Sequence, residues 1–233
     1  MSKNFPKSTA ERYDRWFQTP FGSRAATMEK QVLQELLGPG DGQSLLDIGC
    51  GTGYFTEWVR TLGYEVAAVD SSETMLKAAR SRFAGEVQVR QMEAELLRFP
   101  PDSFDMALMM TSLEFTDDPA RALREAVRVS QNGIVVGVLN RYNPLAVWRK
   151  LTSLIKGGTY KKARFFSAAQ LIRMCKQAAE AAGKEVTVTW TGGVCLGQAL
   201  LRRPVRNPGA AFIAVRASFT EKGFAKGQGN SEQ

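Results

Sequence analysis

The sequence predicts an α/β fold in which a mostly parallel, doubly wound sheet carries helices on both faces. From Asp41 to Asn140, short apolar runs alternate with longer segments of helical spacing, and this alternation is typical of strand–helix–strand units. The apolar run from Ser44 to Ile48 is followed at once by Gly49, Gly51 and Gly53. A buried strand that ends in closely spaced glycines and leads into a helix predicts a cradle for a nucleotide-like ligand.

Hydrophobic spacing and turn signals place the individual elements. An aspartate pair precedes Pro119, which predicts a capped helix with proline at its first position, and Ser167 is the expected cap of a later helix. Asn132-Gly133 predicts a turn into the fifth strand. The predicted strands are Ser44 to Ile48, Glu65 to Asp70, Val87 to Gln91, Phe104 to Met110, Ile134 to Leu139, Glu185 to Trp190 and Ala210 to Phe219. The predicted helices in this part of the chain are Tyr54 to Leu62, Ser72 to Phe83, Pro119 to Val129 and Ala168 to Ala182.

The first 40 residues predict two helical pieces. Ser8-Thr9-Ala10-Glu11 resembles a capping box that opens a short helix, and Thr19-Pro20-Phe21-Gly22 interrupts the helical pattern. A second helix is predicted from Ala25 to Leu37. Tyr13 and Trp16 lie on the first piece, where they either cover a ligand or simply pack.

Composition limits the classes of site. The chain has 233 residues, of which 44% are hydrophobic, and this predicts one domain with a sizeable core. No stretch reaches the ~18 uninterrupted apolar residues of a membrane-spanning helix, and the first residues lack the apolar core of a signal peptide, so a cytoplasmic location is expected. The three cysteines are dispersed and histidine is absent. Hence no disulfide framework, metal site or histidine base is predicted.

Charge is distributed unevenly along the chain. The net charge is −7 over residues 31–140 and +12 over residues 141–233. A basic region of this kind attracts anions of several kinds. It lacks aromatic residues interleaved as in RNA-binding modules, so nucleic acid is a disfavoured partner.

Glycine spacing and one aspartate indicate the kind of ligand. The third glycine comes one residue earlier than in the G-x-G-x-x-G fingerprint, which disfavours NAD. Asp70 ends the second strand, where a carboxylate can accept hydrogen bonds from ribose hydroxyls. The alternative is an ordinary strand-to-helix turn, with Asp70 capping the helix that follows Ser72.

Several motifs together resemble one family. The run Asp47-Ile48-Gly49-Cys50-Gly51-Thr52-Gly53, the pair Val69-Asp70, Glu93-Ala94-Glu95 and Asp102-Ser103-Phe104-Asp105 are similar to the class I S-adenosylmethionine-dependent methyltransferases. The similarity is strongest to the small-molecule, type 11 branch that includes the quinone C-methyltransferases. Glu93 stands where these relatives commonly have Asp.

The resemblance implies both a fold and a cofactor. The implied fold is a Rossmann-like seven-stranded sheet whose last strand is antiparallel, and the implied cofactor is S-adenosylmethionine. Residues 1–40 would form a helical lid segment, residues 41–220 the catalytic domain with a cap insertion at about 141–166, and residues 221–233 a disordered tail. The cofactor-binding residues implied are Asp47, Gly49, Gly51, Gly53, Asp70, Ser71, Met75, Glu93, Ala94 and Thr111.

The acceptor side is predicted from residues near the strand ends. The segment after the fourth strand lacks the Asn/Asp-Pro-Pro-Tyr run of enzymes that methylate amino groups of nucleobases. Glu114 and Tyr142 follow the fourth and fifth strands and are the candidates for a catalytic base, although Glu114 could equally bond backbone N–H groups. The candidate substrate-binding residues are Tyr13, Trp16, Asn140, Arg141 and Arg164, the arginines as clamps for an anionic group.

Three functional hypotheses stay open on this evidence. The first is methyl transfer to a small acceptor that is anionic or lipid-like. The others are an RNA or protein methyltransferase, and a non-catalytic module that binds S-adenosylmethionine. The amphipathic stretch from Pro144 to Lys156 either packs on the sheet as a cap helix or contacts an anionic membrane surface.

Overall fold

A seven-stranded sheet forms the centre of the structure, a computed structural model that describes residues 7–142, 163–193, 195–196, 199–200, 206–207 and 209–220. The strand order is β3-β2-β1-β4-β5-β7-β6. The strands are β1 Ser44–Ile48, β2 Glu65–Asp70, β3 Gln88–Gln91, β4 Phe104–Met110, β5 Ser130–Leu139, β6 Glu185–Gly193 and β7 Phe212–Thr220. A separate two-residue ladder joins Cys195–Leu196 to Ala199–Leu200.

Strand direction confirms the predicted sheet. β1 pairs in parallel with both neighbours, so that Leu45 lies beside Val66 of β2 and Met106 of β4. The last strand lies between β5 and β6 and is antiparallel to both, with Val215 beside Val136 and Trp190. The parallel strands therefore end at one edge of the sheet, where open α/β folds bind ligands.

Helices cover both faces of this sheet. Among the described residues they are α1 Lys7–Gln18, α2 Pro20–Leu37, α3 Tyr54–Arg60, α4 Glu73–Phe83, α5 Pro119–Val129 and α6 Ala168–Ala181, with a 3-10 turn at Leu113–Phe115. Successive residues of a strand point to opposite faces. Accordingly Leu46 packs in one core with Leu123 of α5, whereas Leu45 packs in a second core with Leu33 of α2.

Capping residues explain where several helices begin. Asp118 accepts a hydrogen bond from the Arg121 amide and precedes Pro119, as the sequence predicts. Ser167 caps α6, and Ser72 caps α4. The predicted helix starts near the glycine loop and at Ser167 are thus confirmed.

Some predicted boundaries are wrong. α2 begins at Pro20 instead of Ala25, because the segment interpreted as an interruption is itself the cap, with Thr19 accepting a hydrogen bond from the Gly22 amide. α1 begins at Lys7, so Ser8 lies inside the helix and does not open a capping box. Other differences include a shorter α3, a later start of β7 at Phe212 and a longer β6.

The predicted turn at Asn132-Gly133 is also wrong. β5 begins at Ser130, directly after α5, and pairs with Phe104 of β4 across a bulge between Phe104 and Met106. The bulge lets the ladder start early, and Gly133 pairs with Ser218 of β7. A β-carbon at Gly133 would lie 2.5 Å from the carbonyl oxygen of Ala217, so this glycine permits close strand packing instead of a turn.

The predicted amphipathic stretch, most of the predicted cap insertion and the predicted tail lie outside the described residues. The stretch is Pro144 to Lys156, and the tail is 221–233. Within the part of the chain that is described, no helix has the length and apolar character needed to cross a membrane.

Candidate active site

The glycine loop after β1 is bent by three left-handed residues. Gly49, Gly51 and Gly53 have φ of 80°, 57° and 82°. The amides of Gly49 and Cys50 donate to the Val69 carbonyl oxygen at 2.7 and 3.0 Å, which fastens the loop to the end of β2. Glycine is favoured at such angles because it has no Cβ.

The three glycines serve different purposes. A β-carbon at Gly49 would lie 2.3 Å from Cβ of Ser112, and one at Gly53 would lie 2.5 Å from Cζ of Phe83. These two positions are therefore closed by protein packing. A β-carbon at Gly51 would meet only Cε1 of Tyr13, at 4.0 Å. Gly51 is thus the glycine whose missing side chain leaves room for a ligand.

Asp70 links the glycine loop to the start of α4. Its Oδ2 accepts from the Gly51 amide at 2.9 Å and its Oδ1 accepts from the Ser72 amide at 2.8 Å. Burial, together with the nearby charge of Glu93, raises the pKa of Asp70. Each carboxylate oxygen has a second lone pair, so the aspartate can hold the loop and still accept from ribose hydroxyls. The geometry of Asp70 is therefore compatible with ribose binding and with support of the turn, but the cap of α4 is Ser72 and not Asp70.

Asp47 is a buried carboxylate with an unsatisfied oxygen. Thr56 Oγ1 donates to Asp47 Oδ2 at 2.6 Å, while Oδ1 has no hydrogen-bond partner among the described residues. Burial raises the pKa of Asp47 to about 7, and the charge of Asp70 adds to this. A buried acceptor without a donor is costly. A ligand that supplies a donor or a positive charge at the end of β1 would relieve that cost.

Other predicted cofactor residues lie at neighbouring strand ends. The Ser71 carbonyl oxygen accepts from Gln91 Nε2 at 2.9 Å, and Glu93 follows β3 closely enough to raise the pKa of Asp70. Thr111 follows β4 with φ of 46° and donates its amide to the Gly137 carbonyl oxygen. Met75 is buried in the first turn of α4, and Ala94 is a partly buried residue packed on the main core.

α1 lies against the glycine loop, which bears on the prediction for its aromatic residues. Phe17 stacks on Tyr54 with ring centroids 3.8 Å apart and is buried. Trp16 packs edge-on against Phe17, whereas Tyr13 is the residue nearest the open face of Gly51. Phe17 thus supplies packing, and Tyr13 is the aromatic residue placed beside the candidate ligand space, while the substrate contact of Trp16 stays a prediction.

Three polar residues in this region were missed by the sequence analysis. Asp14 of α1 accepts from Thr52 Oγ1 at 2.5 Å and from Arg82 Nη2 at 2.9 Å. Arg82 of α4 also donates to the Thr52 carbonyl oxygen at 3.0 Å. Thr52 lies inside the glycine motif and could have been singled out. Asp14 and Arg82 have no local signal, because 68 residues separate them along the chain.

Among the residues predicted to face the acceptor, Glu114 is buried in the 3-10 turn that follows β4. Its Oε1 accepts from the Leu139 amide at 2.8 Å, and its carbonyl oxygen accepts from the Arg164 amide at 2.9 Å. Its Oε2 has no hydrogen-bond partner among the described residues. Burial raises the pKa of Glu114 to about 8. The predicted contact with a backbone N–H group is confirmed, and the predicted role as a base stays a prediction.

The remaining predicted acceptor residues surround a short parallel bridge between Asn140 and Phe166. Asn140 is buried and donates from Nδ2 to the Ala210 carbonyl oxygen at 2.7 Å, while its Oδ1 accepts from the Tyr142 amide at 3.2 Å. Arg141 and Arg164 are exposed, and Arg164 Nη1 donates to the Asp117 carbonyl oxygen. Tyr142 is 63% exposed, with the Arg141 guanidinium 5.7 Å from its ring centre.

Comparison with known proteins agrees with this geometry. A family profile described as a methyltransferase domain matches residues 46–136, which span β1 to the middle of β5. A crystal structure of an S-adenosylmethionine-dependent methyltransferase from Thermotoga maritima is 30% identical, with a TM-score of 0.74, and the match covers 92% of this chain and 98% of that one. The chain belongs to the S-adenosylmethionine-dependent methyltransferases.

Two curated methyltransferases are similar over shorter stretches. The malonyl-[acyl-carrier protein] O-methyltransferase of Serratia marcescens is 35% identical over 115 residues, which are 48% of this chain and 45% of that protein. A ubiquinone biosynthesis O-methyltransferase of Aeromonas salmonicida is 32% identical over 154 residues, 61% of this chain and 63% of that protein. The chain therefore spans about half to two thirds of the length of these two relatives.

The residues at the strand ends fit the cofactor of the methyltransferase family. S-adenosylmethionine carries a ribose and a positively charged amino-acid part. Gly51 leaves an open backbone face for such a ligand. Asp70 offers acceptors suited to ribose hydroxyls, and the unsatisfied oxygen of Asp47 suits a positively charged donor.

Proposed function

We propose that this methyltransferase acts on a small-molecule acceptor that carries an anionic group. The observation that supports this most is the pair of exposed guanidinium groups, Arg141 and Arg164, on the two chain segments that meet at the Asn140–Phe166 bridge. A guanidinium has several donors in a fixed plane and binds carboxylate or phosphate well. One curated relative is named a malonyl-[acyl-carrier protein] O-methyltransferase and the other a ubiquinone biosynthesis O-methyltransferase, and both names are consistent with a small acceptor group.

The residues on the cofactor side align one reactant with the other. When bound, S-adenosylmethionine would supply an electrophilic methyl carbon for in-line attack by a lone pair of the acceptor, with the sulfur leaving as the thioether of S-adenosylhomocysteine. Gly51 would contact the cofactor through its backbone, and Asp70 would accept hydrogen bonds from the ribose hydroxyls. Asp47 would lie near the positive charge of the cofactor. Alignment of this kind provides much of the rate enhancement in such displacements. Reactants that are already held in position lose little further translational and rotational entropy on reaching the transition state.

Glu114 is our candidate for the group that receives the acceptor's proton. The free oxygen, Oε2, is available for that proton because Oε1 is already engaged by the Leu139 amide. A pKa raised to about 8 places the carboxyl close to the pH at which a base works best. This role predicts a rate that rises with pH through the pKa of Glu114 and a flat profile in Glu114→Gln.

We assign Asn140 to positioning. Its amide bonds both the Ala210 carbonyl and the Tyr142 amide, so it holds the segment that carries Arg141. Tyr142 would then border the acceptor from its exposed position, together with Tyr13 and Trp16 from α1. The contribution of these aromatic residues would be apolar contact area instead of proton transfer.

Labelled cofactor distinguishes the proposed acceptor from others. The protein is incubated with methyl-tritiated S-adenosylmethionine and a cell extract separated into small molecules, lipids, RNA and protein. Label in the aqueous small-molecule fraction, in compounds retained by an anion exchanger, is expected. Label in RNA or in protein would replace the proposal by the corresponding macromolecular methyltransferase. No label in any fraction, despite cofactor binding, would favour a non-catalytic binding module.

Arginine variants then test the anionic group itself. We expect Arg141→Gln and Arg164→Gln to raise KM for the acceptor about tenfold each, the loss typical of one charged hydrogen bond, with unchanged affinity for S-adenosylhomocysteine. Arg124→Gln, which removes an exposed cation from α5, is the matched control. Equal KM values in all three variants would show that the acceptor is not held through its charge.

Contact with an anionic membrane is a second proposal for the partner surface. It is supported by the sequence of Pro144 to Lys156, whose apolar positions include Trp148 and whose flanks carry Lys150 and Lys156. Co-sedimentation with anionic and neutral vesicles at two salt concentrations tests it. We expect salt-sensitive binding to the anionic vesicles that is weakened by charge reversal at both lysines, and equal binding to both vesicle types would contradict it.

A further inference from the structure

We propose that Asp14 and Arg82 form a latch that holds α1 over the glycine loop and sets the rate at which cofactor and product exchange. The proposal depends on the cofactor site and is independent of the acceptor. It is based on three features of the described residues: the polar network around Thr52, the position of Tyr13, and the single-residue connection between α1 and α2.

The network connects three elements through one carboxylate. Asp14 Oδ1 accepts from Thr52 Oγ1 at 2.5 Å, and Asp14 Oδ2 accepts from Arg82 Nη2 at 2.9 Å. Arg82 Nε donates to the Thr52 carbonyl oxygen at 3.0 Å. Asp14 thus bonds the glycine loop with one oxygen and α4 with the other. Removing this one side chain would remove both of these polar contacts and leave α1 held by its apolar contacts.

Tyr13 explains why the latch would affect the ligand. It is the neighbour of Asp14 on α1, and its Cε1 lies 4.0 Å from the place where a β-carbon on Gly51 would stand. That is van der Waals distance, so the Tyr13 ring forms one wall of the space beside Gly51. A cofactor bound in that space would therefore lie against Tyr13, and it could not leave in that direction until α1 moves.

The connection to α2 gives α1 a point about which it can turn. Only Thr19 separates α1 from α2, and it has an extended backbone with φ of −72° and ψ of 151°. Phe17, next to this connection, is buried against Tyr54. Asp14 lies about one helical turn farther from the hinge. The apolar contact thus lies near the pivot, and the polar contact lies near the moving end.

The strength of the polar contact suits repeated opening. The side chains of Arg82 and Asp14 are 23% and 31% exposed, so the ion pair is partly hydrated. Partly exposed ion pairs are weak and are screened by salt. α1 would therefore open thermally, and more often at high ionic strength.

Glu57 provides a matched control within the same network. Its Oε2 accepts from Arg82 Nη1 at 2.9 Å, but Glu57 belongs to α3 and is not on the lid. Glu57→Ala removes a carboxylate partner of Arg82 just as Asp14→Ala does, while the contacts of α1 with Thr52 stay intact. The two variants separate a latch on α1 from general support of Arg82.

Stopped-flow kinetics with S-adenosylhomocysteine test the proposal without any acceptor. We expect Asp14→Ala to raise the association and dissociation rate constants together, each about five- to tenfold, because an open lid speeds both directions. Kd should change by less than threefold. Glu57→Ala should leave both constants unchanged, and raising the salt concentration should accelerate exchange in the parent protein but not in Asp14→Ala.

Other results would overturn the latch. A faster dissociation with a slower association in Asp14→Ala would mean that Asp14 only supports the binding site, and unchanged constants would mean that α1 does not limit exchange. The same acceleration in Glu57→Ala would assign the effect to Arg82 alone. If Asp14→Ala does not fold, Thr52→Val removes the other donor to Asp14 with little change in side-chain volume, and it must show the same paired acceleration.

Discussion

The cofactor side and the proposed acceptor side of the active site are built in different ways. On the cofactor side, Gly51 and Asp70 are joined by a hydrogen bond across 19 residues, within a single strand–helix–strand unit. On the acceptor side, Asn140 reaches the Ala210 carbonyl across 70 residues. Local backbone chemistry therefore shapes the first site, whereas the closure of the whole sheet shapes the second.

The two sides also differ in charge. The cofactor side presents the carboxylates of Asp47 and Asp70, whereas the acceptor side presents the guanidinium groups of Arg141 and Arg164. A cationic cofactor and an anionic acceptor would each meet the opposite charge. The positive charge of the cofactor would then face the carboxylates, and the negative group of the acceptor would face the guanidinium groups.

The largest expected effect comes from closing the open glycine. Gly51→Val places a branched side chain at φ of 57° and fills the face that the ligand needs. We expect the affinity for S-adenosylhomocysteine to fall at least 1000-fold, or about 4 kcal/mol, by isothermal calorimetry.

A second glycine variant controls for strain. Gly42 has φ of 78° with no atom within 4 Å of an added β-carbon. Gly42→Val therefore carries backbone strain without touching the site, and it should lower the melting temperature while leaving affinity unchanged. If Gly51→Val retained affinity, the ligand would lie elsewhere and the contrast between the two sides would fail.

The next largest effect is expected from Asp70, the carboxylate that joins the glycine loop to α4. Asp70→Asn replaces an acceptor of two backbone amides by a group that can accept with only one oxygen. We expect a loss of about 2–3 kcal/mol in binding of S-adenosylhomocysteine, since a charged acceptor is removed. Asp105→Asn is the matched control, because Asp105 accepts from the Ser44 amide and hydroxyl at the opposite end of β1. Equal losses in both variants would indicate a general effect on the sheet.

This contrast explains which parts of the fold and of the site could be predicted from the sequence alone. The cofactor loop was predictable because its requirements are local: Gly49, Gly51 and Gly53 stand at fixed offsets from a strand end, and Asp70 ends the next apolar run. The sheet was predictable for the same reason, since each strand is a short apolar run between turn residues. The antiparallel last strand came from the family resemblance, because strand direction has no local signal.

The acceptor side was harder to predict because its contacts are tertiary. Glu114 follows β4 in the sequence, but only the assembled sheet shows that the Leu139 amide occupies one of its oxygens. Asn140 was predicted to bind substrate, which stays a prediction, and only the assembled sheet shows that its side-chain amide also bonds the Ala210 carbonyl oxygen. The roles of Asp14 and Arg82 also required the packing of α1 on α4, which hydrophobic spacing does not specify.

A third prediction uses the buried carboxyl of the acceptor side. Burial raises the pKa of Glu114 from 4.5 to about 8, so its ionised form is disfavoured in the folded state. Its contribution to stability is full below the unfolded pKa and is lost as pH rises towards 8. Glu114→Gln has no such loss and keeps an acceptor for the Leu139 amide.

The expected result is a stability difference that depends on pH. Between pH 6 and 7.5, the free energy of unfolding of Glu114→Gln should rise relative to the parent protein by roughly 2 kcal/mol, measured by urea denaturation. Glu95→Gln is the control, because Glu95 is a more accessible carboxylate that accepts the Asp117 amide at 2.7 Å. A difference independent of pH would show that Glu114 is ionised throughout.

The smallest expected effect concerns the hydrogen bond that crosses from one side of the site to the other. Ser112, after β4, donates from Oγ to the Ile48 carbonyl oxygen at 2.7 Å, and its Cβ packs where a side chain on Gly49 would stand. Ser112→Ala keeps the Cβ contact and removes only the hydrogen bond, so the free energy of unfolding should fall by about 1 kcal/mol. Affinity for S-adenosylhomocysteine should fall two- to threefold, since the end of β1 loses one restraint.

The control is Ser103→Ala, which removes a hydrogen bond to the Pro100 carbonyl oxygen within one exposed turn. It should change the free energy of unfolding and the affinity less than Ser112→Ala does. If Ser112→Ala lowered stability but left affinity at the parent value, the two sides would be mechanically independent. A shared loss would show that the end of β4 helps to hold the cofactor loop in place.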